Sequence, residues 1–327
     1  MTSASSELHR LLRCRYPVLL APMAGIGGGR LARAVSDAGG FGFVGGGYGD
    51  EPWLHEELQR LDGVPFGVGF ITWALKERPH LLAQVVDAGA AAILLSFGDI
   101  RPFAGAVHAA GRILVAQVQT LSQAREAEAE GAHIIVAQGG EGGGHSGVRG
   151  TLALVPAVVD AVKVPVVAAG GIADGRGLAA ALALGAQGVL CGTAFYAAEE
   201  SLAHPHAKQL LTQASGDTTT KGELFDVARG LNWPSGPWGL RTLQNTLTQQ
   251  WQGASSALLR AHAEELQATI AQARQTADHR LAPVIAGEAA DLVRKVEPAA
   301  LIVKQMVETA RRSIERLAPV HRAAPDR

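Results

Sequence analysis

The sequence predicts an α/β chain: a (β/α)8 TIM barrel over residues 1–199, followed by a mainly helical extension, or second small domain, over residues 200–327. Three observations predict it. Short, nearly continuous apolar runs occur eight times before residue 195, as expected of parallel strands covered on both faces. Segments with helical spacing separate the runs. From about Glu199 the strand rhythm stops and longer helical stretches follow.

The runs are "PVLLAP" (17–22), "FGFVGG" (41–46), "PFGVGF" (65–70), "AAILLSF" (91–97), "RILVAQV" (112–118), "HIIVAQG" (133–139), "PVVAAGG" (165–171) and "GVLCGT" (188–193). Between them, "RLARAVSDAGG", "PHLLAQVVDAGA", "LSQAREAEAEGA" and "DGRGLAAALALGA" read as helices. Several end in an Ala-Gly or Gly-Ala step, a helix stop, and Asp174 is the expected N-cap of the last. An open doubly wound sheet also alternates in this way, but the even spacing and the count of eight favour closure. In the extension, "EELQATIAQARQTADHRL" and "AALIVKQMVETARRSIERL" read as helices, while residues 221–245 carry Trp, Pro and Gly with little regular periodicity. The extension is expected to cover one end of the barrel, and its last helix either stays with it or completes the barrel's outer ring. The tail "PVHRAAPDR" is expected to fray.

Composition narrows the function. A chain of 327 residues with 47% hydrophobic and 18% charged residues builds a sizeable core rather than a disordered segment. A net charge of -1 with no basic block gives no footprint for nucleic acid. Cys14 and Cys191 are too few for a disulfide framework, which points to a reducing cytoplasm. The polar N-terminus lacks the apolar core of a signal peptide, and no apolar run reaches the roughly 18 residues of a membrane span.

Active sites of such barrels form at the carboxyl ends of the strands. There the chain has "APMAG", "GFIT", "QVQT", "QGGEGGGH", "AGGIADG" and "CGTAF". Gly170, Gly171, Gly192 and Thr193 can present backbone N–H groups to a phosphate, as the loops after the last two strands often do; the plainer alternative is a tight turn. Phosphosugars, nucleotides and flavin mononucleotide (FMN) all satisfy such a cradle. Met23 reads as a core filler, or as a thioether along the edge of a flat ring. His145 reads as a general base, an electrostatic partner for an anion, a metal ligand or a structural loop residue. No second ligand has metal spacing, and its place behind a glycine run at a strand end favours catalysis. Glu141, the nearest acid, reads as a solvated group or a loop tether. "HPH" (204–206) reads as a loop or helix start, and neither G-x-x-x-x-G-K-[ST] nor H-E-x-x-H is present.

Taken together, "PVLLAPMAGIGGGRLARAVSDAGGFGFVGGG", "VAQGGEGGGHSG", "PVVAAGGIADGRGLAAALALGAQGVLCGTAF" and "DVARGLNWPSGPWGLRTLQN" resemble the nitronate monooxygenases, formerly 2-nitropropane dioxygenases, over most of the chain. FMN-dependent enoyl-acyl-carrier-protein reductases and NADH:quinone reductases share that scaffold. The resemblance implies non-covalent FMN. Ala21, Pro22 and Met23 would pack on its ring, Gln117 and Gln138 would face it, and Gly143 and Gly144 would approach it through their backbone. Gly170, Gly171, Cys191, Gly192 and Thr193 would surround the phosphate, and His145 would be the active-site histidine. Two departures stand out. Gly69 replaces the Asn that many relatives carry, leaving that hydrogen bond missing or to be made by Thr72, and "EGGGH" replaces "EAGGH".

The implied reaction is FMN-dependent oxidation of alkyl nitronates, or of nitroalkanes, by O2 to a carbonyl compound and nitrite. His145 would steady the anion when protonated and take a proton when neutral. The alternatives are an NAD(P)H-dependent FMN reductase of enoyl thioesters or quinones, and a flavin-free phosphosugar isomerase or aldolase. The partners expected are a small anionic substrate and O2, with no nucleic acid or membrane, and a homodimer is compatible. Trp233 and Trp238 read as anchors of the extension ahead of a substrate lid.

Overall fold

The computed structural model describes residues 6–234 and 236–317; the tail expected to fray lies outside them. Eight parallel strands close into a barrel. They are β1 (Val18–Leu20), β2 (Phe41–Gly47), β3 (Phe66–Ile71), β4 (Ala92–Ser96), β5 (Ile113–Val118), β6 (Ile134–Gln138), β8 (Val166–Ala169) and β9 (Gly188–Cys191). Each coincides with an apolar run read from the sequence, β2 and β3 running one residue beyond theirs, and β9 pairs with β1 through Leu20 and Cys191 to close the ring.

The runs are nearly continuous because both faces are buried, yet the strand period of two still sorts them. Leu19, Phe41, Phe43, Leu94, Val136 and Leu190 fill the barrel interior. Val18, Leu20, Ile93, Leu95, Ile135 and Cys191 face outward into the layer beneath the helices. Leu8 and Leu12, on the helix Glu7–Leu12, join the interior cluster and plug the amino ends of the strands. Each fully buried side chain of this kind contributes about 1.5–3 kcal/mol. Glycine appears in β3 where a neighbour's bulk enters: a Cβ on Gly67 would sit 2.4 Å from the Phe43 ring, and one on Gly69 would sit 2.4 Å from Pro22.

The segment beyond β9 departs from a helical reading. Helices Pro205–Gln213 and Ala263–Gln275 are present, but so are β10 (Thr219–Gly222) and β11 (Gly239–Leu243). With β7 (Gly144–Ser146) they form an antiparallel sheet in the order β10-β11-β7. These strands of three to five residues are too short for alternation to show, and β7 lies far upstream of its partner. Phe225, Leu240, Leu247, Leu259, Leu266 and Ile270 make a separate apolar cluster beside this sheet.

The last helix, Ala299–Leu317, lies against the helices Gly175–Ala183 and Gly29–Asp37. It therefore occupies the outer ring between the helices that follow β8 and β1. The approach is close: a Cβ on Gly175 would come 2.2 Å from the Met306 carbonyl oxygen. Among the described residues, no helix is long and apolar enough to cross a membrane.

Candidate active site

The carboxyl ends of the strands open into one cavity. Ala21, Pro22, Met23, Gly69, Gln117, Gln138, Gly143, Gly144, His145, Gly170, Gly171, Gly192 and Thr193 all line it. Cys191 does not. Strand alternation turns Leu190 inward to the cavity and Cys191 outward, where its side chain is buried beneath the helices. Burial pushes its thiol up to about 12, so it stays neutral.

One end of the cavity is made of backbone. Gly170 and Gly171 have φ of 94° and 69°, a left-handed turn that glycine adopts without strain. Among the described residues, no protein atom accepts a hydrogen bond from the backbone N–H of Gly171, Gly192 or Thr193. A Cβ on Gly192 would meet nothing closer than Ala21 Cβ and Met23 Sδ, each at 3.6 Å. Met23 is half-buried and places its sulfur on the cavity wall. The Thr193 hydroxyl accepts from the Gly287 N–H at 3.0 Å, leaving its own proton to be donated. Asp174 caps the next helix through the N–H groups of Arg176 and Gly177. Gly171, Gly192 and Thr193 all line the cavity without being buried, so their N–H groups are open to it, and free donors beside a helix start suit an anion.

The other end is made of side chains. His145 lies on β7 and is buried. Its Nε2 is 2.9 and 3.0 Å from the two carboxylate oxygens of Asp226. A carboxylate only accepts, so a neutral imidazole in this contact carries its proton on Nε2 and leaves Nδ1 as a free base. Burial, the largest influence, holds the His145 pKa below the ordinary 6.5; the hydrogen bond and charge of Asp226 pull it up, and Arg229 and Lys221 push it down. The imidazole is thus neutral at pH 7.

Further contacts hold this arrangement. Trp233 stacks on His145 with ring centroids 3.4 Å apart. Arg229 pairs with Asp226 at 3.1 Å and donates to the Tyr48 hydroxyl at 3.2 Å, which also receives Trp233 Nε1–H at 3.1 Å. Gln138 donates its amide N–H to the His145 carbonyl at 3.0 Å, while its oxygen accepts from Gln117 and Gln119. Gln138 is therefore a brace for β7 as well as part of the cavity wall. Phe97, at a φ of 61° that is unusual outside glycine, wedges its ring against His145, Trp233 and Trp238.

The glycines around His145 answer to packing as much as to the cavity. A Cβ on Gly143 would come 2.6 Å from the backbone of Ala286, so the segment before Gly287 closes over this loop. Glu141 is a tether: its carboxylate accepts from the Thr151 N–H and hydroxyl at 2.8–3.0 Å. Thr72 does not take over from an Asn at position 69, because its hydroxyl is buried and donates to the Ser96 carbonyl. Trp238 donates to Gln119 and Trp233 packs on His145, so both act as anchors. "HPH" starts a helix, with His204 as its N-cap.

Sequence reading gave His145 no acidic partner. Asp226, Arg229 and Tyr48 complete it, from the segment with little periodicity and from the end of β2. The available signal was an Asp and an Arg three residues apart, just before Trp233.

The sequence model described as nitronate monooxygenase matches residues 5–80 and 76–309. A nitronate monooxygenase of Metarhizium robertsii, npaC, is 35% identical over 335 residues, covering 90% of each chain. A (3aS,4S,5R,7aS)-5-hydroxy-7a-methyl-1-oxo-octahydro-1H-indene-4-carboxyl-CoA dehydrogenase of Rhodococcus jostii is 34% identical over 223 residues; the match covers 67% of this chain and 63% of that protein, less than two thirds of its length. Among solved structures, FabK of Thermotoga maritima superposes with a TM-score of 0.84 at 31% identity, covering 96% of this chain and 98% of that one. A nitroalkane oxidase of Streptomyces ansochromogenes superposes with a TM-score of 0.80 at 28% identity, covering 95% and 100%.

Proposed function

The chain belongs to the nitronate monooxygenase family of oxidoreductases, and on that premise we propose that it holds FMN in the central cavity and oxidises alkyl nitronates, or the parent nitroalkanes, with O2 to a carbonyl compound and nitrite. The observation that carries this reading is His145: an imidazole on the cavity wall with Nε2 engaged by Asp226 and Nδ1 left free.

The residues present fit FMN. The free N–H groups of Gly171, Gly192 and Thr193 suit its phosphate, and the wall at Ala21, Pro22 and Met23 suits a flat ring. Bound there, FMN supplies the redox chemistry; the chain supplies binding, orientation and proton handling. Gln117, on the cavity wall, has its amide N–H engaged by Gln138, and its oxygen would be available to the cofactor. Leu240, Ile285 and Phe97 add apolar wall to the cavity, which would help keep water out. His145 Nδ1 takes the α-proton of a neutral nitroalkane, and Asp226 steadies the imidazolium that forms while fixing its tautomer. A nitronate arrives already deprotonated and needs only orientation.

Anaerobic mixing of the flavin-loaded protein tests this reading. Bleaching of the flavin spectrum by a nitronate is expected. Bleaching by NADH or NADPH but not by a nitronate overturns it in favour of a reductase on the same scaffold. A purified protein with no flavin absorbance removes both.

A further inference from the structure

Tyr48 follows β2 and is half-buried on the wall of the central cavity, which His145, Phe97 and Arg229 also line. Its hydroxyl oxygen accepts two hydrogen bonds, from Arg229 Nη2–H at 3.2 Å and from Trp233 Nε1–H at 3.1 Å. A guanidinium and an indole N–H can only donate, so the direction of both bonds is fixed. With its lone pairs engaged in this way the oxygen still carries a proton, and among the described residues no protein atom accepts it. Tyr48 thus has one hydrogen bond left to give, on the wall that carries the base.

The same contacts tie this hydroxyl to His145. The Trp233 ring that donates to Tyr48 is stacked on the imidazole. Arg229, the other donor, pairs with Asp226, which holds Nε2 of His145. Trp73 packs against both Tyr48 and Trp233, with ring centroids 5.9 and 5.5 Å apart, so the phenol is braced. One indole and one ion pair thus set the donor and the base in a fixed relation. Burial, the largest influence, raises the Tyr48 pKa above its ordinary 10, against the pull of Arg229, so the proton stays on the oxygen at neutral pH. Donors on the oxygen polarise the O–H bond and strengthen the hydrogen bond it gives.

Removal of the α-proton from a nitroalkane moves negative charge onto the two nitro oxygens. A donor already in place there stabilises the transition state more than the neutral ground state. We propose that Tyr48 is a second catalytic residue, whose phenol O–H donates to a nitro or nitronate oxygen while His145 acts on the α-carbon of the same molecule. The α C–H bond breaks, its proton forms an N–H bond on Nδ1, and its electron pair becomes the C=N bond, sending the N=O π electrons to the oxygen that Tyr48 holds. Tyr48 keeps its own proton throughout. The inference rests on nitro compounds as substrates and deepens that reading by assigning the group that binds them.

Tyr48→Phe in the flavin-loaded full chain tests it, with nitroethane and its preformed nitronate as probes. On nitroethane, kcat is expected to fall about 10²–10³-fold, the scale of one oxyanion donor, with KM little changed. On the nitronate, charged from the start, the larger change is expected in KM. Flavin content and the acid limb of the pH profile should stay where they are, because Tyr48 is not among the groups that shift His145. Unchanged kinetics on both forms overturn the proposal and leave the nitronate reading intact. A variant that loses its flavin or its fold, or whose acid limb moves, overturns it too, since Tyr48 would then act only as a brace for Arg229 and Trp233. A wild type whose flavin neither form bleaches anaerobically removes the substrate reading itself, and the proposal with it.

Discussion

At one end of the cavity, Gly171, Gly192 and Thr193 offer backbone N–H groups; at the other, His145 depends on the side chains of Asp226, Trp233 and Gln138. The backbone end is assembled from two neighbouring strands, β8 and β9, and its requirement is space. The side-chain end joins groups 81 residues apart through the small sheet β10-β11-β7, and its requirement is orientation. A cradle of backbone fails when a Cβ enters it. A dyad of side chains fails by degrees, as a partner loses charge or a tautomer changes.

The largest expected effect comes from removing what joins the two ends. A fragment of residues 1–199 lacks β10, β11, Asp226 and the last helix of the outer ring, and exposes the apolar surface they cover. It is expected to aggregate, and a soluble, monodisperse, flavin-loaded fragment in size-exclusion chromatography would contradict the account of the extension. Next is the backbone end alone. Gly171→Val places a β-branched residue at a φ of 69°, where such residues are outliers, and puts methyl groups beside the proposed phosphate. The variant is expected to purify folded but largely colourless, and stoichiometric flavin in its visible spectrum would show that the cradle lies elsewhere.

The side-chain end should respond more gradually. Asp226→Asn keeps the shape but removes the charge and the acceptor that fix the tautomer. Nitroalkane turnover is expected to fall by about 10²–10⁴-fold, with a smaller loss on preformed nitronate. The pH profile sharpens this. The working form of His145 is neutral, so activity on nitroalkanes falls as pH drops through a pKa below 6.5. Asp226 raises that pKa, so its replacement should move the acid limb to lower pH. A limb that stays in place, with equal losses on both substrates, would reduce Asp226 to a packing role.

The same contrast explains what could be read from the sequence. All eight barrel strands were legible because burial on both faces leaves compact apolar runs, and the turn at Gly170 and Gly171 was legible because glycine marks left-handed backbone. His145 was legible by position, at a strand end behind glycines. Its partners were not, because pairing with Asp226 requires β7 and β11 to meet, through Leu240 and His145, and strands this short leave no periodic trace. Cys191 was read among the residues around the phosphate, and a period of two sends its side chain outward beneath the helices. Position 69 had a steric reason visible only in three dimensions: Pro22 occupies the space a larger residue would need.

The central claim is that His145 acts as a base on neutral substrate. It is tested most directly by comparing wild type with His145→Asn, at matched flavin content, on one nitroalkane and on its preformed nitronate. Asn keeps similar size and some hydrogen bonding but cannot take the proton. The account predicts a loss of about 10²–10⁴-fold on the nitroalkane and retention of part of the nitronate rate. Unchanged rates on both forms, or equal losses on both, would contradict it.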